Sequence, residues 1–204
     1  MHPERWNQRF ASPDFFYGTA PNAFIAETIP RYLRPGAEVI ELGAGEGRNA
    51  VWLARQGFCV TALDYAEIGL EKTRQLATQA GVTVDTVQAD VTRWQPDRTW
   101  DAVVITFLHL PPEARPILYA LVHRILRPKG YLIAEWFRPE QRIEGYPSGG
   151  PPDPTWMVTA DELRQHFAPE GFHLLENATP VLHEGPGHQG PAATVRLVWQ
   201  QRMD

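Results

Sequence analysis

Short apolar runs rich in β-branched residues alternate along the chain with stretches that have helical periodicity. The apolar runs predict strands at residues 38–42, 58–63, 82–88, 102–107, 131–137, 172–176 and 193–199. The stretches between them predict helices at residues 22–34, 48–56, 66–80, 111–126 and 159–167. Strands that alternate with helices are typical of a parallel sheet covered by helices. We therefore predict an α/β protein built as a three-layer α/β/α sandwich.

Two segments rich in proline and glycine interrupt this alternation. Residues 138–154 contain five prolines and three glycines, a composition that neither a helix nor a central strand accepts. Residues 183–191 are a second segment of this kind, between the last two predicted strands. We expect both segments to be loops.

Composition excludes several classes of protein. The 204 residues, 43% of them hydrophobic, fit one globular domain. A net charge of −5 and the lack of a basic run argue against a nucleic-acid partner. No apolar stretch is long enough to span a bilayer and no secretory signal precedes the domain, so we expect a cytoplasmic protein without a membrane partner. The single cysteine, Cys59, excludes an intrachain disulfide, and Lys72 and Lys129 both lie in stretches that we expect at the surface.

The candidate chemistry is concentrated where the predicted strands end. Gly43, Gly45 and Gly47 follow the first strand and let the backbone turn sharply beneath a ligand. Asp64 ends the second strand and Asp90 follows the third. Open α/β sheets bind ligands at this carboxyl edge, and an acid about 20 residues after the glycines matches a carboxylate that holds the hydroxyls of a ribose.

The spacing of these glycines distinguishes between nucleotides. A dinucleotide site requires G-x-G-x-x-G, whereas this chain has G-x-G-x-G with Arg48 at the position of the third glycine. Glu41 and Glu46 flank the loop with negative charge, which repels a pyrophosphate but favours a ligand that carries an amino group and a sulfonium. The pattern favours S-adenosylmethionine. An NAD(P)-dependent oxidoreductase and a non-catalytic protein that binds an adenosine ligand remain as alternatives.

Four motifs along the chain resemble those of one enzyme family. The segments ELGAGEGRN, ALD, QAD and LRPKG together resemble class I S-adenosylmethionine-dependent methyltransferases. Three further patterns resemble the tellurite-resistance and thiopurine-methyltransferase-like branch: Gly47-Arg48-Asn49, Tyr17-Gly18-x-x-Pro21-Asn22 and Glu184-Gly185-x-x-His188-x-Gly190. The resemblance extends from about Trp6 to Trp199.

The resemblance implies a Rossmann-like fold and a set of cofactor contacts. The fold would contain a seven-stranded, mostly parallel sheet with an antiparallel last strand, formed by residues 36–204, while residues 1–35 would be an arm and a helix that cover the cofactor site. Glu41 would orient the amino group of S-adenosylmethionine, Asp64 its ribose and Asp90 its adenine. The full implied set is Tyr17, Glu41, Gly43, Ala44, Gly45, Asn49, Asp64, Tyr65, Asp90, Val91, Thr106 and Phe107. The product would be S-adenosylhomocysteine.

The methyl acceptor is expected to be a small molecule, and a soft sulfur, selenium or tellurium nucleophile would need no strong base. For other acceptors, His109 and His188 are candidate catalytic residues. The candidate substrate pocket consists of Tyr17, Asn22, His109, Arg138, Trp156 and His188. His183 and His188 are five residues apart around Gly-Pro-Gly, a spacing that does not fit a helical zinc motif, so we expect no metal. We expect a monomer or a homodimer.

The chain before the first strand is dense in aromatic residues. They are Trp6, Phe10, Phe15, Phe16 and Tyr17. These rings would either fasten the arm onto the core or cover the sulfonium as a lid, since a desolvated cation over an aromatic ring gains about 2 kcal/mol.

Overall fold

A computed structural model describes residues 3–202, so residues 1–2 of the predicted arm and residues 203–204 lie outside it. The strands are β1 (Glu38–Leu42), β2 (Cys59–Asp64), β3 (Asp85–Gln88), β4 (Trp100–Thr106), β5 (Leu126–Phe137), β6 (Phe172–Ala178), β7 (Val181–Glu184), β8 (His188–Pro191) and β9 (Thr194–Gln200). The α-helices are α1 (Pro3–Phe10), α2 (Ala23–Tyr32), α3 (Arg48–Arg55), α4 (Glu67–Gln79), α5 (Arg115–Ile125), α6 (Glu140–Ile143) and α7 (Ala160–His166). Single 3₁₀ turns occupy Pro154–Trp156 and Pro169–Gly171.

Seven strands form one sheet in the order β3-β2-β1-β4-β5-β9-β6. The neighbours among β1 to β5 pair in parallel, and β9 is antiparallel to both β5 and β6. The predicted sheet, mostly parallel with an antiparallel last strand, is confirmed. The chain order reverses at β1, because β2 pairs with β1 on one side and β4 pairs with it on the other. In open α/β sheets, ligands bind at the carboxyl ends of the strands where the order reverses in this way.

Apolar residues cover both faces of the central strands. Ile40 and Val103 contact one cluster of buried residues, whereas their neighbours Val39 and Val104 contact another on the opposite face. Successive side chains of a strand point to opposite faces, so central strands buried on both sides are apolar throughout. This pattern produces the three layers.

Local signals set several helix ends as predicted. Thr159 caps α7 by accepting a hydrogen bond from the Glu162 N–H at 3.1 Å, as the capping-box pattern indicates. Pro116 lies in the first turn of α5, where its missing N–H has no cost. Asn22 caps α2 through the Ile25 N–H at 3.0 Å.

The structure corrects three expectations. The 138–154 segment is not all loop, because α6 begins directly after Pro139, which suits the start of a helix. The predicted 183–191 loop is largely a hairpin, in which β7 and β8 pair in an antiparallel ladder. Lys72 is buried rather than exposed.

Candidate functional site

A cleft of about 430 Å³, including the solvent at its mouth, opens at the carboxyl ends of β1 and β4. Its lining is formed by Tyr17, Gly18, Glu41, Gly43, Ala44, Gly45, Glu46, Arg48, Asn49, Thr106, Phe107 and His188. Many of these residues were predicted to contact the cofactor, although they come from four distant parts of the sequence. Gly18, Glu46 and Arg48 were not predicted to contact it.

The glycine loop bends over the end of β2. Gly43 and Ala44 both donate their N–H groups to the Leu63 carbonyl, at 2.8 and 3.0 Å. Gly47 has a φ of +86°, and a Cβ there would lie 2.5 Å from the Thr73 hydroxyl oxygen. Only glycine combines this backbone conformation with so close a neighbour.

Asp64 anchors the glycine loop. Its Oδ2 accepts a hydrogen bond from the Gly45 N–H and its Oδ1 accepts one from the Ala66 N–H, both at 2.8 Å. The carboxylate is buried, and burial raises the pKa of Asp64 despite these donors. The structure therefore gives the predicted ribose ligand a second task, which is to hold the loop beneath the cleft.

Glu41 has one bonded and one unbonded carboxylate oxygen. Its Oε1 accepts a hydrogen bond from Asn49 Nδ2 at 2.7 Å, and the same amide donates to Thr106 Oγ1 at 2.9 Å. Glu41 Oε2 is buried and has no hydrogen-bond partner. Burial raises the pKa of Glu41 to about 7. A buried carboxylate oxygen without a donor is costly, and an ammonium group in the cleft would supply that donor. The residues present thus fit a ligand that carries an amino group.

A buried polar network supports Glu41 from behind. The Asn22 N–H donates to Asn49 Oδ1 at 2.8 Å, and Asn22 Nδ2 donates to Glu135 Oε2 at 2.7 Å and to Glu184 Oε1 at 3.0 Å. Asn22 is fully buried and lies behind the cleft wall rather than on it, so the structure gives it a supporting position.

Two buried ion pairs complete this network. Arg48 pairs with Glu184 at 2.6 Å, and Arg196 pairs with Glu135 at 2.7 Å. Glu135 and Arg196 were not predicted, because no motif spacing relates them to the glycine loop. The signal that could have marked Glu135 is a charged residue within the otherwise apolar end of β5.

Three rings in the cleft lining lie next to one another. The ring centroids of Tyr17 and His188, and of Phe107 and His188, are each 4.5 Å apart. Phe107 has a φ of +52°, an uncommon conformation for an aromatic residue, and its ring stacks on Phe137 at 4.5 Å. Burial raises the pKa of the Tyr17 hydroxyl, which also accepts a hydrogen bond from Arg9 at 3.2 Å.

The two candidate catalytic histidines differ in their surroundings. His109 Nδ1 donates to the Trp156 carbonyl at 3.3 Å and its Nε2 accepts from the Phe137 N–H at 3.4 Å, so both ring nitrogens are engaged by backbone. Burial lowers the pKa of His109 to about 3, and this residue does not line the cleft. His188 does line it, 3.5 Å from Glu184 Oε2, and burial lowers the pKa of His188 as well.

The residues predicted for the adenosine half lie beyond the cleft lining. Asp90 is exposed and accepts from the Thr92 N–H at 2.9 Å and the Thr92 hydroxyl at 2.7 Å, whereas Val91 lies in a separate groove of about 340 Å³. Burial raises the pKa of the partly exposed Tyr65 to about 12.

Two residues predicted for the acceptor pocket also lie outside the cleft lining. Arg138 pairs with Glu140 at 2.9 Å, and Trp156 contributes the carbonyl that accepts from His109. Among residues 3–202, no group of three or more metal-ligating side chains is present. None of the helices in that range has the length and apolar character required to cross a membrane.

The aromatic arm packs directly on the glycine loop. Phe10 is buried, and a Cβ on Gly45 would lie 3.5 Å from its ring. The Asn7 side chain accepts a hydrogen bond from the Ile68 N–H of α4 at 3.2 Å. The arm therefore packs against both the glycine loop and α4.

The chain is similar in sequence and in fold to known methyltransferases. Residues 39–130 match the family model described as "Methyltransferase domain". The chain is 25% identical over 170 residues to a probable thiol methyltransferase 2 of Arabidopsis thaliana, covering 81% of this chain and 72% of the relative. It is 27% identical over 179 residues to a thiopurine S-methyltransferase of Xanthobacter autotrophicus, covering 76% of this chain and 82% of the relative.

One solved structure with the same fold contains the expected product. It is the N-methyltransferase NodS from Bradyrhizobium japonicum WM9 in complex with S-adenosyl-l-homocysteine, with a TM-score of 0.69, 14% identity and 98% of both chains covered. The comparisons confirm the predicted resemblance, the Rossmann-like methyltransferase fold, the methyltransferase activity and the S-adenosylmethionine cofactor. They do not favour an oxidoreductase.

Proposed function

Because this chain is an S-adenosylmethionine-dependent methyltransferase, we propose that it methylates a small, soft nucleophile, a thiol or a related selenium or tellurium species, by in-line transfer. The observation that carries the cofactor side of the proposal is the unpartnered, buried Oε2 of Glu41 in the cleft. When bound, S-adenosylmethionine supplies a methyl group on a sulfonium, which is already an activated leaving group.

The residues at the carboxyl edge of the sheet divide the binding task. Glu41 would accept hydrogen bonds from the amino group, while Asn49 holds Glu41 in place. Gly43 and Gly45 would pass beneath the methionine portion, and Asp64 would hold the ribose while it anchors the loop. The adenosine half of the cofactor, or its edge, would be contacted by Tyr65, Asp90, Val91 and Ala44. The reactive methyl group would be bordered by Thr106 and Phe107.

The acceptor class follows from the surroundings of the two candidate histidines, since Glu41, the cleft residue with a pKa of about 7, is assigned here to the amino group of the cofactor. A general base is most effective when its pKa is near the working pH. His188 has a lowered pKa and is paired with Glu184, and His109 has no free ring nitrogen. A soft acceptor that is already anionic needs only alignment and exclusion of water, and alignment can contribute about 7–11 kcal/mol. The thiol and thiopurine methyltransferases among the relatives support this acceptor class.

Two experiments test the proposal in sequence. Isothermal titration with S-adenosylhomocysteine and with NAD should show binding of the first compound only. Transfer of a labelled methyl group is then measured with a panel of thiols, selenium and tellurium oxyanions and small phenols. We expect transfer to thiols or chalcogens, whereas transfer to phenols alone would contradict the soft-acceptor assignment, and no transfer would favour a non-catalytic ligand-binding protein.

Substitution of both histidines separates a base from a supporting residue. With a thiol acceptor, His109→Gln/His188→Gln should keep the wild-type dependence of kcat on pH, since neither ring removes a proton. Loss of an ionisation from that profile would identify one of them as a base. The acceptor would be bordered by Arg138 and Trp156, which lie outside the cleft lining. Asn22 would support the acceptor pocket indirectly, through its hydrogen bond to Glu184.

We also propose a cytoplasmic monomer or homodimer whose first 35 residues act as the lid, without a nucleic-acid partner. Light scattering of the purified protein measures the oligomeric state, and fractionation of cells locates it. A truncated chain that starts at Gly36 and binds S-adenosylhomocysteine with unchanged affinity would overturn the lid.

A further inference from the structure

The segment between α1 and α2 touches two other walls of the cleft. We call residues 14–18 the strap. The strap supplies Tyr17 and Gly18 to the cleft lining, and it lies between the glycine loop and the turn of the β7–β8 hairpin. The strap has no regular secondary structure of its own, so other contacts must hold it in place.

The hairpin holds one side of the strap by close backbone packing. The Gly187 N–H donates to the Phe16 carbonyl at 3.0 Å. A Cβ on Gly18 would lie 3.2 Å from the Gly185 nitrogen, so the two backbones approach as closely as glycine allows. We therefore expect the turn of the hairpin and the strap to move as one unit.

A buried ion pair holds the other side. Lys72 Nζ lies 2.7 Å from Glu46 Oε1, and the two side chains are 10% and 2% exposed. Their remaining bonds all go to the strap backbone. Glu46 Oε2 accepts from the Phe16 N–H at 2.8 Å and the Tyr17 N–H at 3.4 Å, and Lys72 Nζ donates to the Asp14 carbonyl at 2.8 Å.

A buried ion pair is not in itself strong evidence for stability, because desolvation offsets much of the attraction. The bonding pattern here instead indicates positioning, since Glu46 is part of the glycine loop and Lys72 comes from α4. We propose that Lys72 and Glu46 are positioning residues that fasten the strap across the cleft and so control the release of S-adenosylhomocysteine. This inference rests on the proposed function, because it assigns that product to this cleft.

Two variants test the ion pair. Lys72→Met leaves Glu46 without its charged partner, and Glu46→Gln/Lys72→Met removes both charges and so avoids an unpaired buried charge if the single variant folds poorly. Arg74→Met is the matched control, because Arg74 pairs with Glu67 on the same helix at the surface, where both side chains are about 40% exposed.

Hydrogen exchange measured on the unliganded protein gives a local readout that does not depend on the enzymatic activity. In both variants, amides of residues 14–18 and 185–188 should exchange at least tenfold faster than in the wild type, with amides of β1 and β4 unchanged. Arg74→Met should leave all of these rates unchanged. A uniform increase over the whole chain, or unchanged strap amides, would overturn the proposal.

Ligand kinetics then connect the strap to the cleft. Stopped-flow displacement should show S-adenosylhomocysteine leaving both variants about tenfold faster than the wild type, and Lys72→Met, which changes a residue outside the cleft lining, should raise KM for the cofactor more than it changes kcat. Equal release rates despite faster strap exchange would refute control of release. Failure of the wild type to bind this ligand would instead refute the proposed function, while the exchange result would still stand.

Discussion

Replacing Glu41 by Gln should stabilise the unliganded protein above neutral pH and weaken cofactor binding at the same time. In the wild type, burial raises the pKa of Glu41 from 4.5 to about 7, so the ionised carboxylate is costly, and one of its buried oxygens has no hydrogen-bond partner. An amide of the same shape keeps the hydrogen bond from Asn49 through its oxygen and has no charge to desolvate. The group that destabilises the unliganded protein is therefore the one that we propose binds the amino group of the ligand.

The magnitude follows from the linkage between protonation and folding. A folded-state pKa above the unfolded value means that the folded protein holds the proton more tightly, so stability is lost as pH rises from 4.5 through about 7. At 1.36 kcal/mol per pKa unit, the loss between pH 5 and pH 8 is about 2–3 kcal/mol. Glu41→Gln should be free of this loss.

Urea unfolding of both proteins at pH 5 and pH 8 measures this difference. The free energy of unfolding of the variant relative to the wild type should rise by about 2–3 kcal/mol from pH 5 to pH 8. A difference that is constant over this range, or that falls, would refute the assignment of a raised pKa to Glu41.

Titration calorimetry with S-adenosylhomocysteine measures the binding side. The variant should bind about 10–100-fold more weakly at pH 8, since a charge-assisted hydrogen bond contributes about 1.5–3 kcal/mol. Below pH 7, the wild type should release about one proton on binding, because Glu41 must ionise to receive the amino group. Unchanged affinity in Glu41→Gln would show that the amino group lies elsewhere.

Two other predictions concern the glycine loop. Gly47→Ala should lower the free energy of unfolding by at least about 2 kcal/mol, because the added Cβ collides with Thr73 and the backbone is also strained. Gly81 has a φ of +68° and no atom within 4 Å of an added Cβ, so Gly81→Ala should cost only about 1 kcal/mol. Equal losses of the two variants in urea unfolding would argue against the collision. Asp64→Asn should lower stability by about 1–3 kcal/mol and weaken binding of S-adenosylhomocysteine, because a backbone N–H that now donates to the carboxylate would face an NH₂ group. Asp90→Asn, at an exposed turn, should change the melting temperature little.

Much of the fold could be predicted because its signals are local. The order of strands and helices, the capping of α7 by Thr159 and the position of Pro116 in the first turn of α5 all follow from neighbouring residues. The hairpin formed by β7 and β8 escaped prediction because its glycines and prolines are typical of loops. The hairpin depends on hydrogen bonds between two segments of the chain, and amino-acid composition does not reveal such pairing.

The candidate site divides in the same way. Glu41, the glycines and Asp64 form a motif of fixed spacing, so the sequence alone predicted the loop as the candidate site and S-adenosylmethionine as its ligand. The buried position of Lys72, the pairing of Glu184 with Arg48, and the bonds that occupy both nitrogens of His109 depend on segments far apart in the chain. A side chain's burial and partners arise from packing against such distant segments. Tertiary structure alone therefore decided which charges are paired, which carboxylate oxygen is left free and which histidine faces the cleft.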